Sequence, residues 1–153
     1  VHIGSNPPLI SFIMRPDSVE RHTLSNILDT GSYTINHLNT SIYKQAHQTS
    51  ARYPKEASEF DATGLSTEYK FNCKVPFVEE SNIQLEMEFK QRIDLAINNT
   101  IMIIGEIKNI YIPDNCMQED GFLDIEKAGT VTCSGLDSYH LTNSLARLPY
   151  AKV

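Results

Sequence analysis

Arg21-His22-Thr23, with Asn26 one helical turn further on, is the part of this sequence best suited to hold an anion. Thr23 precedes an apolar stripe of Leu24, Ile27 and Leu28 that stops at Gly31, the pattern of a short helix over residues 24–30 capped by the Thr23 hydroxyl. The first turn of such a helix presents unpaired N–H donors and the positive end of its dipole to a phosphate. Arg21 adds a cation and Asn26 an amide. The same residues also read as an ordinary threonine cap beside a solvated arginine, and the spacing alone leaves both readings open.

The remaining reactive side chains form no recognisable constellation. No Gly-x-Gly-x-x-Gly and no phosphate-loop Gly-Lys-Ser/Thr occurs, so a bound nucleotide must be held by another device. His2, His22, His37, His47 and His140 share no metal-ligand spacing, and His37 reads as a core or interface residue on a strand; no metal is expected. Glu79-Glu80 and the Glu86/Glu88 pair read as solvated surface, and Ser134-Gly135 lacks a nucleophile-elbow context. Cys133, in a run of small residues over 127–135, is expected as a buried apolar filler.

These residues must be positioned by strands more than by helices. Residues 9–14 form a nearly continuous apolar run, expected as a buried strand; Tyr33, Ile35 and His37 alternate with polar neighbours as the next. Residues 41–50 look helical with Ile42 and Ala46 inward, and 51–66 reads as an excursion with a turn of helix through Glu59-Phe60. Residues 74–77 suggest a short strand broken by Pro76. The clearest pattern sets Ile83, Leu85, Met87 and Phe89 on one face against Gln84, Glu86, Glu88 and Lys90 on the other, a half-buried antiparallel strand. Asn98-Asn99 suits a hairpin turn, because Asn tolerates positive φ, and residues 100–112 return around Gly105 beside 83–96. Residues 136–150 read as a polar, aromatic tail. Many strands, few helices and no βαβ alternation predict a mainly β, antiparallel barrel with a few short helices.

Composition narrows the function classes. The chain has 153 residues, 13 Lys+Arg and 19 Asp+Glu, for a formal charge of −6, opposite to the basic footprint of nucleic-acid binders. Its longest apolar stretch, residues 101–104, is far below the roughly 20 residues that cross a bilayer, so neither nucleic acid nor membrane is an expected partner. The start at Val1 reads as an entry in mid-protein. Cys73, Cys116 and Cys133 are odd in number and contain no Cys-x-x-Cys, which fits a reducing, cytoplasmic setting. The sequons at Asn39 and Asn98 are therefore discounted.

Several segments, in order, resemble the flavin reductase-like proteins of the FMN-binding split-barrel superfamily: Ser5-Asn6-Pro7-Pro8-Leu9-Ile10-Ser11-Phe12, His22-Thr23-Leu24-Ser25-Asn26-Ile27 with Gly31-Ser32-Tyr33-Thr34-Ile35-Asn36, Pro76-Phe77-Val78-Glu79-Glu80-Ser81, and Ile104-Gly105-Glu106-Ile107. Gly135-Leu136-Asp137-Ser138-Tyr139 and Ala146-Arg147-Leu148 are similar to a C-terminal segment of a flavoredoxin-like branch. The resemblance implies one split β-barrel domain over 1–153 without its opening strands, a homodimer, bound FMN, and NADH or NADPH as co-substrate. It places Thr23 and Asn26 near the flavin phosphate and ribityl chain, with Arg21 beside them. Ser11 lies on the strand after the usual flavin-binding segment, Ser50 at the head of a covering excursion, and Tyr139 where it would line or close the site. His22 stands where the family often has an acidic residue. Hydride transfer to flavin is the cofactor's own chemistry, so a chain without a catalytic constellation is still a candidate oxidoreductase. The alternative is a split-barrel module that binds flavin or another flat ligand without turnover.

Overall fold

The computed structural model describes residues 1–16, 18 and 21–152. In chain order the elements are β1 (His2–Ser5), β2 (Pro8–Met14), α1 (His22–Thr30), β3 (Ser32–Asn36), α2 (Tyr43–Gln48), α3 (Glu59–Thr63), β4 (Thr67–Glu68), β5 (Phe77–Val78), β6 (Gln84–Leu95), β7 (Thr100–Tyr111), a 3-10 turn at Asp114–Cys116, β8 (Val131–Ser134) and β9 (Ser138–Leu141). Five strands form one antiparallel sheet in the order β1-β2-β7-β6-β3, and two ribbons, β4-β5 and β8-β9, stand apart from it.

The two-residue period of β6 decides which face is wet. Ile83, Leu85 and Met87 are buried and Phe89 packs against the same core, while Glu86 and Glu88 turn away. On the outer face Glu88 and Glu106 alternate with Lys90 and Lys108 at 2.9 to 3.2 Å, a charge ladder across β6 and β7. The inner face is completed by Ile101 and Ile103 of β7, Tyr33 of β3, and Ile10, Phe12 and Met14 of β2, with Leu24 and Ile27 of α1 packed into the same cluster. Asn99 takes a left-handed φ of 58° in the β6–β7 hairpin, and the Asn98 side chain accepts from the Thr100 N–H at 3.1 Å. Two register shifts in the β6–β7 pair mark bulges, one at Lys108 of β7 opposite Glu86–Met87 and one at Lys90 of β6, that bend the ribbon around this core.

Gly105 is required by a close approach. Tyr33 crosses the inner face and lays its ring over Gly105, so that a Cβ there would lie 2.1 Å from the hydroxyl oxygen. Phe12 holds that ring edge-on at 5.7 Å.

Several expectations are corrected. The strand over residues 9–14 is not buried throughout: Ser11 is, but Ile13 is 53% exposed on the second face of the sheet. Pro76 lies ahead of β5, which begins at Phe77. Gln84, on the polar side of the alternation, is buried, because its amide donates to the Val78 carbonyl at 2.7 Å and ties β5 to the sheet. The tail contains strand β9. Cys133 is exposed, since the β8–β9 ribbon is not covered on that side; the buried thiols are Cys73 and Cys116.

Candidate functional site

Helix α1 starts two residues earlier than the apolar stripe implies. Arg21 occupies the N-cap position with an extended backbone, no side chain caps the helix, and Thr23 sits exposed in the first turn. Thr23 is thus not the cap, which leaves its hydroxyl available to a ligand. The first intrahelical bond runs from the Ser25 N–H to the Arg21 carbonyl at 3.1 Å, so the N–H groups of His22, Thr23 and Leu24 have no partner within the helix. Gly31 ends the helix at φ 67°, as its position predicts.

This helix start forms one wall of a cleft of about 580 Å³. The other wall is the segment after α2, from Thr49 through Ser50 and Arg52 to Lys55, and Glu59 contributes the carboxylate at its edge. Arg21, Thr23 and Ser50, separated by up to 29 positions in sequence, therefore meet in one cavity. The Ser50 hydroxyl donates to the His47 carbonyl at 2.5 Å, which fixes the turn that brings the excursion back over α1.

Arg21 lines this cleft, and its Nε is buried without a hydrogen-bond partner among the described residues. An anion at the α1 start would meet the Arg21 guanidinium and the first-turn backbone N–H groups that have no partner within the helix. The donor set thus fits a phosphate group. Asn26 lies on the neighbouring face of α1, where it and Thr23 line a second hollow of about 220 Å³ against Thr34 and Pro76. Thr23 is common to both, and the Thr34 hydroxyl fixes the far wall by donating to the Pro76 carbonyl at 2.8 Å.

Two of the anticipated residues lie elsewhere. Ser11 is buried on β2, where its hydroxyl donates to the Val1 carbonyl at 3.5 Å and it lines none of these cavities. Tyr139, on β9, packs on α2: its hydroxyl is 3.0 Å from His47 Nδ1, and its ring lies 5.5 Å from Tyr43. Desolvation, with Cys133 and Asp137 nearby, pushes the Tyr139 hydroxyl above its ordinary value. Shallow hollows of about 260 and 240 Å³ flank that ring, and neither shares a residue with the α1 cleft.

Sequence reasoning missed Arg52, Tyr53 and Lys55. Their one signal is the placement of two cations around Tyr53-Pro54 in a segment without hydrophobic period. His37, expected as a core or interface residue, is half-buried beside Thr130 at 3.3 Å, and burial holds its imidazole below the ordinary value. Among the described residues, no helix is long and apolar enough to cross a membrane.

Comparison with known proteins agrees with this architecture. Residues 1–128 match the family model of the flavin reductase like domain. A candidate flavin reductase with a split barrel domain from Shewanella frigidimarina NCIMB 400 is 53% identical and superposes with a TM-score of 0.94 over 99% of this chain and 75% of that one. The flavoredoxin of Desulfovibrio vulgaris (Miyazaki F), 20% identical, shares the fold with a TM-score of 0.82 over 98% of this chain and 78% of its own. A protein of uncharacterised function from Aquifex aeolicus (strain VF5) is 25% identical over 127 residues, 82% of this chain, and this chain spans only 64% of its length. An antiparallel sheet in this order, with its short helices and a match over most of the sequence, places the chain in the flavin reductase like domain family, with the split-barrel fold.

Proposed function

We propose that the chain is the FMN-binding part of an NAD(P)H-dependent flavin reductase or of a flavoredoxin-like electron carrier. The observation that carries the reading is the start of α1, which has no side-chain cap and where Arg21 and Thr23 line a cleft with room for a nucleotide. In this reading Arg21, the Thr23 hydroxyl and the first-turn N–H groups hold the flavin phosphate, and Asn26 lies on the adjoining face for the ribityl chain. Flavin held there would supply the redox chemistry, as an acceptor of hydride from a reduced nicotinamide. The protein's tasks are to bind, to orient and to exclude water, and none needs a nucleophile or a metal ligand.

A homodimer is part of the proposal. Ile13, Ile93, Met102 and Ile104 share the second face of the sheet through the paired registers of β2, β7 and β6, an apolar surface in addition to the core. Light scattering that gives a monomer mass at micromolar concentration would refute it. Three free cysteines fit a reducing, cytoplasmic location.

The decisive experiment is the visible spectrum of the purified protein, followed by anaerobic addition of NADH or NADPH. A yellow protein bleached by either nucleotide is the expected result. A yellow protein that neither nucleotide bleaches is a flavin-binding module without this turnover, and a colourless protein that FMN does not reconstitute refutes the flavin site.

A further inference from the structure

The chain carries more carboxylates than cations, 19 against 13. Among the described residues, Arg21 and Arg52 line the cleft beside α1 together with Lys55 and Glu59. One phosphate at the α1 start uses Arg21 and the helix N–H groups, and does not use the opposite wall. There Arg52 is exposed at the rim, next to the half-buried Tyr53, whose hydroxyl accepts from the Gln48 amide at 3.2 Å. An aromatic ring and a solvent-exposed guanidinium lining one cleft suit a purine base carrying an adjacent phosphomonoester: the ring gives a stacking surface and the guanidinium a bidentate partner for the dianion.

Resting on the reductase reading above, we propose that Arg52 and Tyr53 form a second subsite that recognises the adenosine 2′-phosphate end of NADPH, and that the protein prefers NADPH to NADH. The pyrophosphate is common to both dinucleotides, so a cation given to it does not discriminate. Only the 2′-phosphomonoester differs, and it adds about two negative charges. A subsite at the rim, with Arg21 reserved for the other phosphate, also matches a co-substrate that must leave after each turnover while the flavin stays.

The test uses a probe that needs no turnover. Adenosine 2′,5′-bisphosphate and AMP are titrated against the FMN-loaded protein by calorimetry. The bisphosphate should bind about tenfold or more tightly than AMP, the discrimination of a charge-assisted contact. Arg52→Glu should bring that ratio close to one, and Arg52→Lys should restore part of it. Arg52 is exposed, so these variants are expected to fold, which circular dichroism checks. Equal binding of the two probes, or a ratio unmoved by Arg52→Glu, overturns the subsite. The flavin spectrum separates this outcome from failure of the reductase reading. If the bisphosphate is preferred and neither NADPH nor NADH bleaches the flavin, the subsite stands and the reductase reading falls.

Discussion

Replacing Gly105 with alanine tests the tightest contact in the core. The new methyl would lie 2.1 Å from the Tyr33 hydroxyl oxygen, 2.8 Å from Cζ and 3.0 Å from Cε1. Two effects oppose each other. Alanine in a strand interior is better than glycine by about 0.5–1 kcal/mol, whereas overpacking a filled core costs about 1–3 kcal/mol. Tyr33 cannot swing away cheaply, because it is 7% exposed, has Phe12 against its ring and is paired through its backbone with Met87. The steric term should win by about 1–2 kcal/mol, lowering the melting temperature by about 2–8 °C for a domain of this size. The companion variant is Tyr33→Phe. Its lost hydroxyl is buried without a partner, and burial has already pushed its pKa up to about 12, so removal should leave stability unchanged or raise it by about 1 kcal/mol. It also removes the shortest of the three contacts, so the double variant should lose less than the sum of the singles. Thermal unfolding of the four proteins measures the cycle. Stabilisation by Gly105→Ala, or a loss above about 1 kcal/mol for Tyr33→Phe, would refute the reasoning, the second result by revealing a partner for the hydroxyl.

Three other outcomes are expected. Met87→Asp, at a site 1% exposed, should prevent folding or cause aggregation, since an unpaired buried charge costs several kcal/mol against a total stability of about 5–15; unchanged melting contradicts the inward register of β6. Thr23→Val should weaken FMN far more than riboflavin, about tenfold or more, with little change in melting because Thr23 does not cap α1; an unchanged FMN-to-riboflavin ratio removes Thr23 from the phosphate site. Burial lowers the His37 pKa from 6.5, so below pH 6.5 the unfolded chain binds the proton more readily than the folded one. The His37 contribution is then fully present above pH 6.5 and lost as pH falls through the folded value. His37→Gln should flatten that part of the stability profile, and an unaltered slope in urea unfolding from pH 7 to 5 excludes His37 as its source.

The legible parts of this chain are those where one local rule acts alone. In β6 the two-residue period and the need to keep Glu86 and Glu88 in water agree, so the face, the partner strand and the hairpin at Asn98-Asn99 follow from the sequence. Gln84 breaks the pattern through a carbonyl at Val78, six positions away on the short strand β5, and no periodicity encodes such a partner. Cys133 failed for a related reason: small, β-prone neighbours describe a strand, but whether a strand is covered depends on what packs over the ribbon.

The cleft follows the same division. Arg21 and Thr23 could be read together because they are two residues apart and a helix start organises both. Ser50 entered through resemblance, and Arg52, Tyr53 and Lys55 did not enter, because a segment without period gives no clue to which wall it faces. The exchange of N-cap from Thr23 to Arg21 is the most informative departure. A threonine at the cap would spend its oxygen on the helix's own N–H groups. With an extended Arg21 at that position, the threonine oxygen is not spent on the helix, the first-turn N–H groups have no partner within it, and Arg21, His22 and Thr23 all line the cleft. An uncapped helix start bears a stability cost of about 1 kcal/mol, which the phosphate proposed for this point would offset.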